Sequence, residues 1–249
     1  MRILLVSDLH YALRQLDWVV ETASGFDLVV LAGDHLDLAS AVPLDAQSVV
    51  ILRYATLIAE QTRLAISSGN HDLTGPDSAG EQCAMWLAEA AAQGIPTDGD
   101  SIELGDTLVT ICPWWDGDVG KQAVDALLRR DAGRRPAHWV WVYHWPPLDS
   151  PTCWTGKRFY GDPDLLNWIG ELQPDVVLTG HVHQSPFKPD GHWVDRIGET
   201  WVFNAGNQLG PVPARIELDL DEPCAVWVSL LGEEFQDLSS PGADERSVF

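Results

Sequence analysis

Positive charge is scarce in this chain. Its 249 residues hold 15 lysines and arginines against 37 aspartates and glutamates, a formal net charge of −22. So acidic a surface repels phosphate backbones, which argues against a polymeric nucleic-acid partner. It still admits a small anionic ligand wherever a local positive centre is built. Cysteine is sparse as well: Cys83, Cys112, Cys153 and Cys224 are scattered and form no CxxC pair. That spacing argues against a cysteine zinc cluster and a dense disulfide framework, and it suggests free thiols in a reducing cytoplasm. No apolar run approaches the length of a membrane span, so no membrane partner is expected. The opening MRILLVSDLH meets a charged residue too early for a secretory leader and reads as a first strand. Internal repeats are also missing.

What the chain does hold is 45% apolar and 21% charged residues, the balance of an ordinary globular protein. Short apolar runs at 3–6, 28–32 and 64–67 alternate with segments of helical periodicity at about 11–24, 45–61 and 79–93. This β-α order predicts parallel strands joined by crossover helices. Hairpin signals follow around Gly105-Asp106, with helices expected at about 119–130 and 164–172 and strands at 137–143 and 176–178. The remaining runs, 193–197, 200–203, 214–220 and 225–231, are strand-like. Residues 1–232 are expected to form one domain, and the polar stretch 233–249 a loosely ordered tail.

Five of the strand-like runs end in residue types that bind metals. They lead to Asp8 and His10, to Asp34, to Asn70 and His71, to His144, and to His181 and His183. Taken singly, each is explained as a polar strand end or turn. Taken together they point to one site, because ligands of open α/β sheets bind beyond the carboxyl ends of parallel strands. In extended backbone the i, i+2 spacing of Asp8/His10 and of His181/His183 would put each pair on one face. Imidazole nitrogen, carboxylate oxygen and amide oxygen suit zinc, manganese, iron and related cations. Two divalent cations bring four positive charges; Asp8, Asp34 and a bound hydroxide remove three, leaving about +1 in an otherwise acidic protein. Such a centre can hold a phosphate, and a cation pair roughly 3.5–4 Å apart can stabilise both attacking and leaving oxygens.

The motifs Asp8-Leu9-His10, Gly33-Asp34, Gly69-Asn70-His71-Asp72, His144 and Gly180-His181-Val182-His183 occur in the order DxH, GD, GNH[DE], H and GHxH. In this the chain resembles the calcineurin-like metallophosphoesterases. The resemblance implies an α/β fold, a four-layer α/β/β/α sandwich, with two divalent metal ions (Mn, Fe or Zn). It implies that Asp8, His10, Asp34 and His183 hold one ion and that Asp34, Asn70, His144 and His181 hold the other. His71 is then not a ligand but the group that protonates the leaving oxygen, a role open to any well-placed imidazole. Gly33-Asp34-His35-Leu36-Asp37 matches the GDxxD of some members, which makes Asp37 the candidate orienter of His71.

Other residues have two readings. Lys157 and Arg158 either clamp a substrate phosphate or form a solvated basic pair. Trp114, Trp115 and Trp145 either wall a pocket for a base-like leaving group or pack a core, and Trp115 is taken as the substrate-binding candidate. His35 faces either the substrate or a loop, Asp72 reads as a turn acid, and Asn207 receives no role. The expected activity is hydrolysis of a small phosphodiester or phosphomonoester by a metal-bound hydroxide. The competing class is a silent binding scaffold of the same fold, against which stands the presence of every motif residue.

Overall fold

The computed structural model describes residues 1–239. Strands β1 (Arg2–Val6), β2 (Leu28–Ala32) and β3 (Arg63–Ser67) are buried along nearly their whole length. They pair in parallel, with Ile3 opposite Leu28 and Leu28 opposite Arg63. Continuous apolar runs are what parallel strands need when both faces are covered. Helices α1 (Leu13–Thr22) and α2 (Leu44–Ala59) form the crossovers. Alternate residues of β1 serve different cores, as the pleat requires. Leu4 and Val6 pack with Leu16, Val19 and Ile51 on the helical side, while Ile3 and Leu5 face inward.

A second sheet comprises β6 (Ser101–Leu104), β7 (Thr107–Ile111), β8 (His138–Val142), β9 (Val176–Thr179), β10 (Val194–Ile197) and β11 (Thr200–Asn204), in spatial order β10-β11-β9-β8-β7-β6. Its outer face is covered by α4 (Asp118–Ala132) and α5 (Pro163–Leu172), through Val124, Leu128 and Ile169 against Trp139 and Trp141. β12 (Arg215–Asp219), β13 (Cys224–Ser229) and β14 (Gly232–Asp237) extend the first sheet antiparallel from β1. The inner faces meet through Ile3, Val30, Val109, Val140, Leu178, Phe203 and Trp227. The layers are therefore helix, sheet, sheet, helix, the sandwich expected from the sequence.

Two expected segments differ. Residues 79–93 are not one helix: β4 (Gly75–Pro76) pairs with β5 (Gln82–Cys83), and only α3 (Leu87–Ala92) is helical. Asp77 Oδ1 accepts hydrogen bonds from the N–H groups of Ala79 and Glu81, and Gly80 has φ +86°. Those contacts favour a turn over a helix start. The expected tail is strand up to Asp237, because β14 pairs with β13 through Val226 opposite Phe235. Its solvated edge tolerates the polar residues that hid it. The rest of that expected tail, 240–249, lies outside the described residues.

Parallel strands β1, β2 and β3 end at Val6, Ala32 and Ser67, and β8 and β9 at Val142 and Thr179. Their following loops meet at one edge of the sandwich. Within the first sheet Asp8 N donates to Gly33 O at 3.0 Å and His10 N to Asp34 O at 3.0 Å. Between the sheets His144 Nδ1 lies 2.6 Å from Ala32 O, and His181 N donates to Asp8 Oδ1 at 2.9 Å.

Candidate metal centre

The ligand-type residues stand just beyond the strands, in turns. Asp8, His10, Asp34 and His181 have φ of 56°, 42°, 57° and 65°. The left-handed region is sparsely populated by residues other than glycine and, where found, often marks a functional site. The expectation of extended backbone at Asp8/His10 and His181/His183 is therefore corrected: tight turns, not the strand pleat, aim these side chains. Two motif glycines make room for them. A Cβ on Gly69 would strike the Asp34 carboxylate, and one on Gly33 would strike the His144 ring.

Two groups of side chains result. Ligand atoms of Asp8, His10, Asp34 and His183 lie within 4.8 Å of one another, as do those of Asp34, His144 and His181, so Asp34 belongs to both. In the first group His10 Nε2 is 3.0 Å from His183 Nε2, and His183 Nε2 is 3.3 Å from Asp8 Oδ1. In the second, His144 Nε2 is 3.3 Å from Asp34 Oδ2. Asn70 Oδ1, His144 Nε2 and His181 Nε2 are all buried and make no hydrogen bond within the protein. Buried polar atoms are seldom left so. Two ring orientations are set from behind. His144 Nδ1–H donates to Ala32 O and His10 Nδ1–H to Leu36 O at 3.3 Å, which turns each Nε2 lone pair toward the centre. The donor set, orphaned and converging, fits two cations.

The electrostatics agree. Burial by itself would raise the Asp8 and Asp34 carboxyls. Both are instead held below the usual carboxylate range, Asp8 by His183 and His144 and Asp34 chiefly by His144. Burial opposes charge on His144, yet Asp34 and Asp8 push it up to about 9. His183 also rises, its burial outweighed by Asp8. His181 is pushed down to about 4 by burial and by the charge of His144. His10 is lowered, mainly by burial. Two ionised carboxylates thus draw positive charge into the site, and without metal that charge is chiefly a proton on His144.

His71 sits at the mouth. Its side chain is 30% exposed, its ring lies 4.6 Å from that of His10, and its N–H donates to Asp34 Oδ1 at 2.9 Å. Asp37 does not orient it. The Asp37 carboxylate accepts from Ala39 N at 2.9 Å, closing a local turn, and His71 Nδ1 has no partner. Trp115 donates its Nε1–H to Tyr143 Oη at 2.7 Å, packs with the residues beneath α4 and α5, and lines a small pocket together with Trp114, His144 and Trp145. Trp114 and Trp145 are the tryptophans against the site, with ring centroids 5.3 and 5.5 Å from that of His181. Lys157 and Arg158 are exposed on the loop after β8, and Arg158 lies over Tyr160. His35 is buried, with Nε2 2.9 Å from Ser67 O, and does not face a substrate.

Two residues do more than their motifs suggested. Asp72, fully buried, accepts from Asp34 N and Gly69 N at 2.8 Å, from His35 N at 2.9 Å and from Leu36 N at 3.1 Å. It clamps the loop after β2 to the loop after β3, and burial raises its pKa. Its place in a GNHD string was the only signal. Asn207 donates its amide to Asp8 O, and its N–H reaches His183 O at 3.1 Å. It ties the first and last ligand loops together; its place at the end of Asn204-Ala205-Gly206-Asn207 was the only signal, and it carried no role.

The family model described as calcineurin-like phosphoesterase matches residues 1–185. The chain belongs to that family. A search of the curated proteins returned no match. Among solved structures, TT1561 of Thermus thermophilus is 18% identical with a TM-score of 0.57, over 95% of this chain and 98% of that one. A dimetal phosphatase from Danio rerio is 11% identical with a TM-score of 0.55, over 94% and 98%. The purple acid phosphatase PPD1 from yellow lupin is 14% identical with a TM-score of 0.56, over 96% of this chain and 52% of its own. At these identities the likeness is one of fold. No helix among the described residues is long and apolar enough to cross a membrane.

Proposed function

We propose that this chain is a dinuclear-metal-dependent phosphoesterase acting on a small phosphodiester or phosphomonoester. The observation that carries the reading is the convergence of His144 Nε2 and His181 Nε2 on the Asp34 carboxylate shared with the other group, with Asn70 Oδ1 buried and without a hydrogen bond in the adjoining loop. Asp8, His10, Asp34 and His183 would hold one ion and Asp34, Asn70, His144 and His181 the other, with manganese, iron or zinc suited to these donors. When bound, the ions would supply Lewis acidity and lower the pKa of water. The chain's own groups do the rest. Asp72 and Asn207 fix the loops that present the donors. Trp114 and Trp145 pack against the His181 ring. His71, half open at the mouth, holds the proton that passes to the leaving oxygen. The four free cysteines support a reducing, cytoplasmic setting.

Metal analysis of the purified protein, with hydrolysis of bis-(p-nitrophenyl) phosphate and p-nitrophenyl phosphate under Mn²⁺, tests the reading. About two equivalents of metal and turnover that a chelator abolishes are expected. No metal and no turnover with any divalent cation would leave a binding scaffold instead.

A further inference from the structure

The second ligand group is flanked by an aromatic wall that leads into a basic rim. The His181 ring is packed by Trp114 at 5.3 Å, by Trp145 at 5.5 Å and by Tyr160, stacked at 5.4 Å and 27°. On the other side, the aromatic contacts of His10 among the described residues are His71 and His183. The wall is held in place. Trp114 N–H donates to Ser68 Oγ at 2.9 Å, two residues before Asn70, and Trp145 Nε1–H donates to Tyr160 O at 3.1 Å. It is partly open: Tyr160 is 42% exposed, while Trp114 and Trp145 are half-buried and stack on each other at 5.5 Å and 26°.

Beyond Tyr160 stand three exposed basic side chains. The Arg158 guanidinium lies 5.5 Å from the Tyr160 centroid, and Lys157 is exposed beside it. The Lys188 stem lies against Gly156, where a Cβ would sit 3.3 Å from its Cδ. Trp154 Nε1–H donates to Pro189 O at 3.0 Å and fastens the two loops together. The arginines of α4 are paired: Arg129 with Asp125 and Glu171, Arg130 with Asp131. Lys157, Arg158 and Lys188 make no such pair among the described residues. In a chain of net charge −22, three cations without an ion pair among the described residues, one of them over the ring that stacks on His181, describe a place for a second anion.

We propose that the ester acted on is nucleotide-like: a planar ring lies against Trp145 and Tyr160, and a second anionic group reaches Lys157, Arg158 and Lys188 while the reacting phosphate sits at the ligand groups. This rests on the phosphoesterase reading and narrows its substrate. Stacking on exposed aromatics is tolerant of ring identity, so the wall selects for a ring and the rim for a charge.

The test compares adenosine 3′,5′-bisphosphate, adenosine 5′-monophosphate and ribose 5-phosphate. Calorimetry measures their binding to the His71→Asn protein in Mn²⁺, and phosphate release gives kcat/KM for the native chain. The bisphosphate is expected to bind about tenfold tighter than the monophosphate, and the monophosphate roughly fivefold or more tighter than ribose 5-phosphate. Arg158→Glu with Lys157→Glu should collapse the first ratio, and Trp145→Ala the second. If Trp145→Ala fails to fold, the ribose 5-phosphate comparison still measures the ring, and the exposed Arg158 variant still measures the rim. Equal affinity for all three ligands, or variants that weaken all three in parallel, would overturn the proposal. Ordered binding with no phosphate release from these monoesters and no hydrolysis of bis-(p-nitrophenyl) phosphate would instead remove the phosphoesterase reading and leave this subsite standing.

Discussion

Asn70 and His71 are neighbours in sequence but are placed for different work. Asn70 Oδ1 is buried without a partner, whereas the His71 ring opens toward solvent and its N–H is held by Asp34. If His71 delivers the leaving-group proton, His71→Asn should lower kcat by roughly 10²–10⁴-fold, the usual range for a general acid, with metal content unchanged. His183→Ala should do the opposite and cost bound metal first. Elemental analysis beside kcat separates the two, and loss of both metals from His71→Asn would make His71 a ligand. Residue types at strand ends could be read directly, because carboxylate, imidazole and amide are named by the chain itself. What could not be read is which atom finds which partner. Asp37 and Asp72 are both acids close to motif residues. Only the fold shows that Asp37 closes its own turn while Asp72 gathers N–H groups from two loops.

At the scale of elements, the site is a property of where strands stop. β1 and β2 are apolar to their last residue and β3 to Ile66, and the next residues must turn at once to keep their polar groups at the edge. This is why the repeated unit of apolar run plus ligand was legible: burial on both faces removes the ambiguity of alternation. Elements without that constraint were misread. The segment 79–93 has apolar spacing suited to a helix, but Asp77 and Gly80 commit its start to a turn. β14 is polar because it is an edge. The turns themselves depend on small residues. Gly69 makes its case without positive φ, so Gly69→Ala is a purely steric test. The added Cβ would lie 2.6 Å from Asp34 N and 2.7 Å from His144 Nε2. Overpacking of this kind costs about 1–3 kcal/mol. The expected variant is folded, has a lower Tm, and binds no more than one metal. A variant with full metal content and unchanged Tm would show that the loop after β3 yields freely.

For the whole molecule, the charge balance couples metal, protons and stability. Without metal, His144 titrates at about 9 against an ordinary histidine value of 6.5. A raised folded pKa stabilises fully below 6.5, and that contribution is lost as pH climbs through 9. His183 is shifted in the same direction. His181, pushed down to about 4, works from the other side: its neutral ring favours the fold above 6.5, and the benefit fades as pH falls toward 4. Asp8 and Asp34, both lowered, lose their contribution only at still lower pH. Taken by themselves, these site groups favour the metal-free fold most at about pH 6.5, while buried Asp98, pushed up to about 7, works against the decline on the acid side. Cations should replace the proton on His144, so metal binding at neutral pH should release protons and tighten as pH rises toward 9. Melting curves of chelated and metal-loaded protein from pH 4 to 10 check the first expectation. Calorimetry in buffers of different ionisation enthalpy checks the second. The loaded protein should lose the alkaline decline, because no proton is left on His144 to remove. Metal binding without proton release, or a metal-free Tm that stays flat from pH 6.5 to 9, would mean that His144 is neutral before metal arrives. In that case the buried carboxylates would be balanced by charge from elsewhere in the fold.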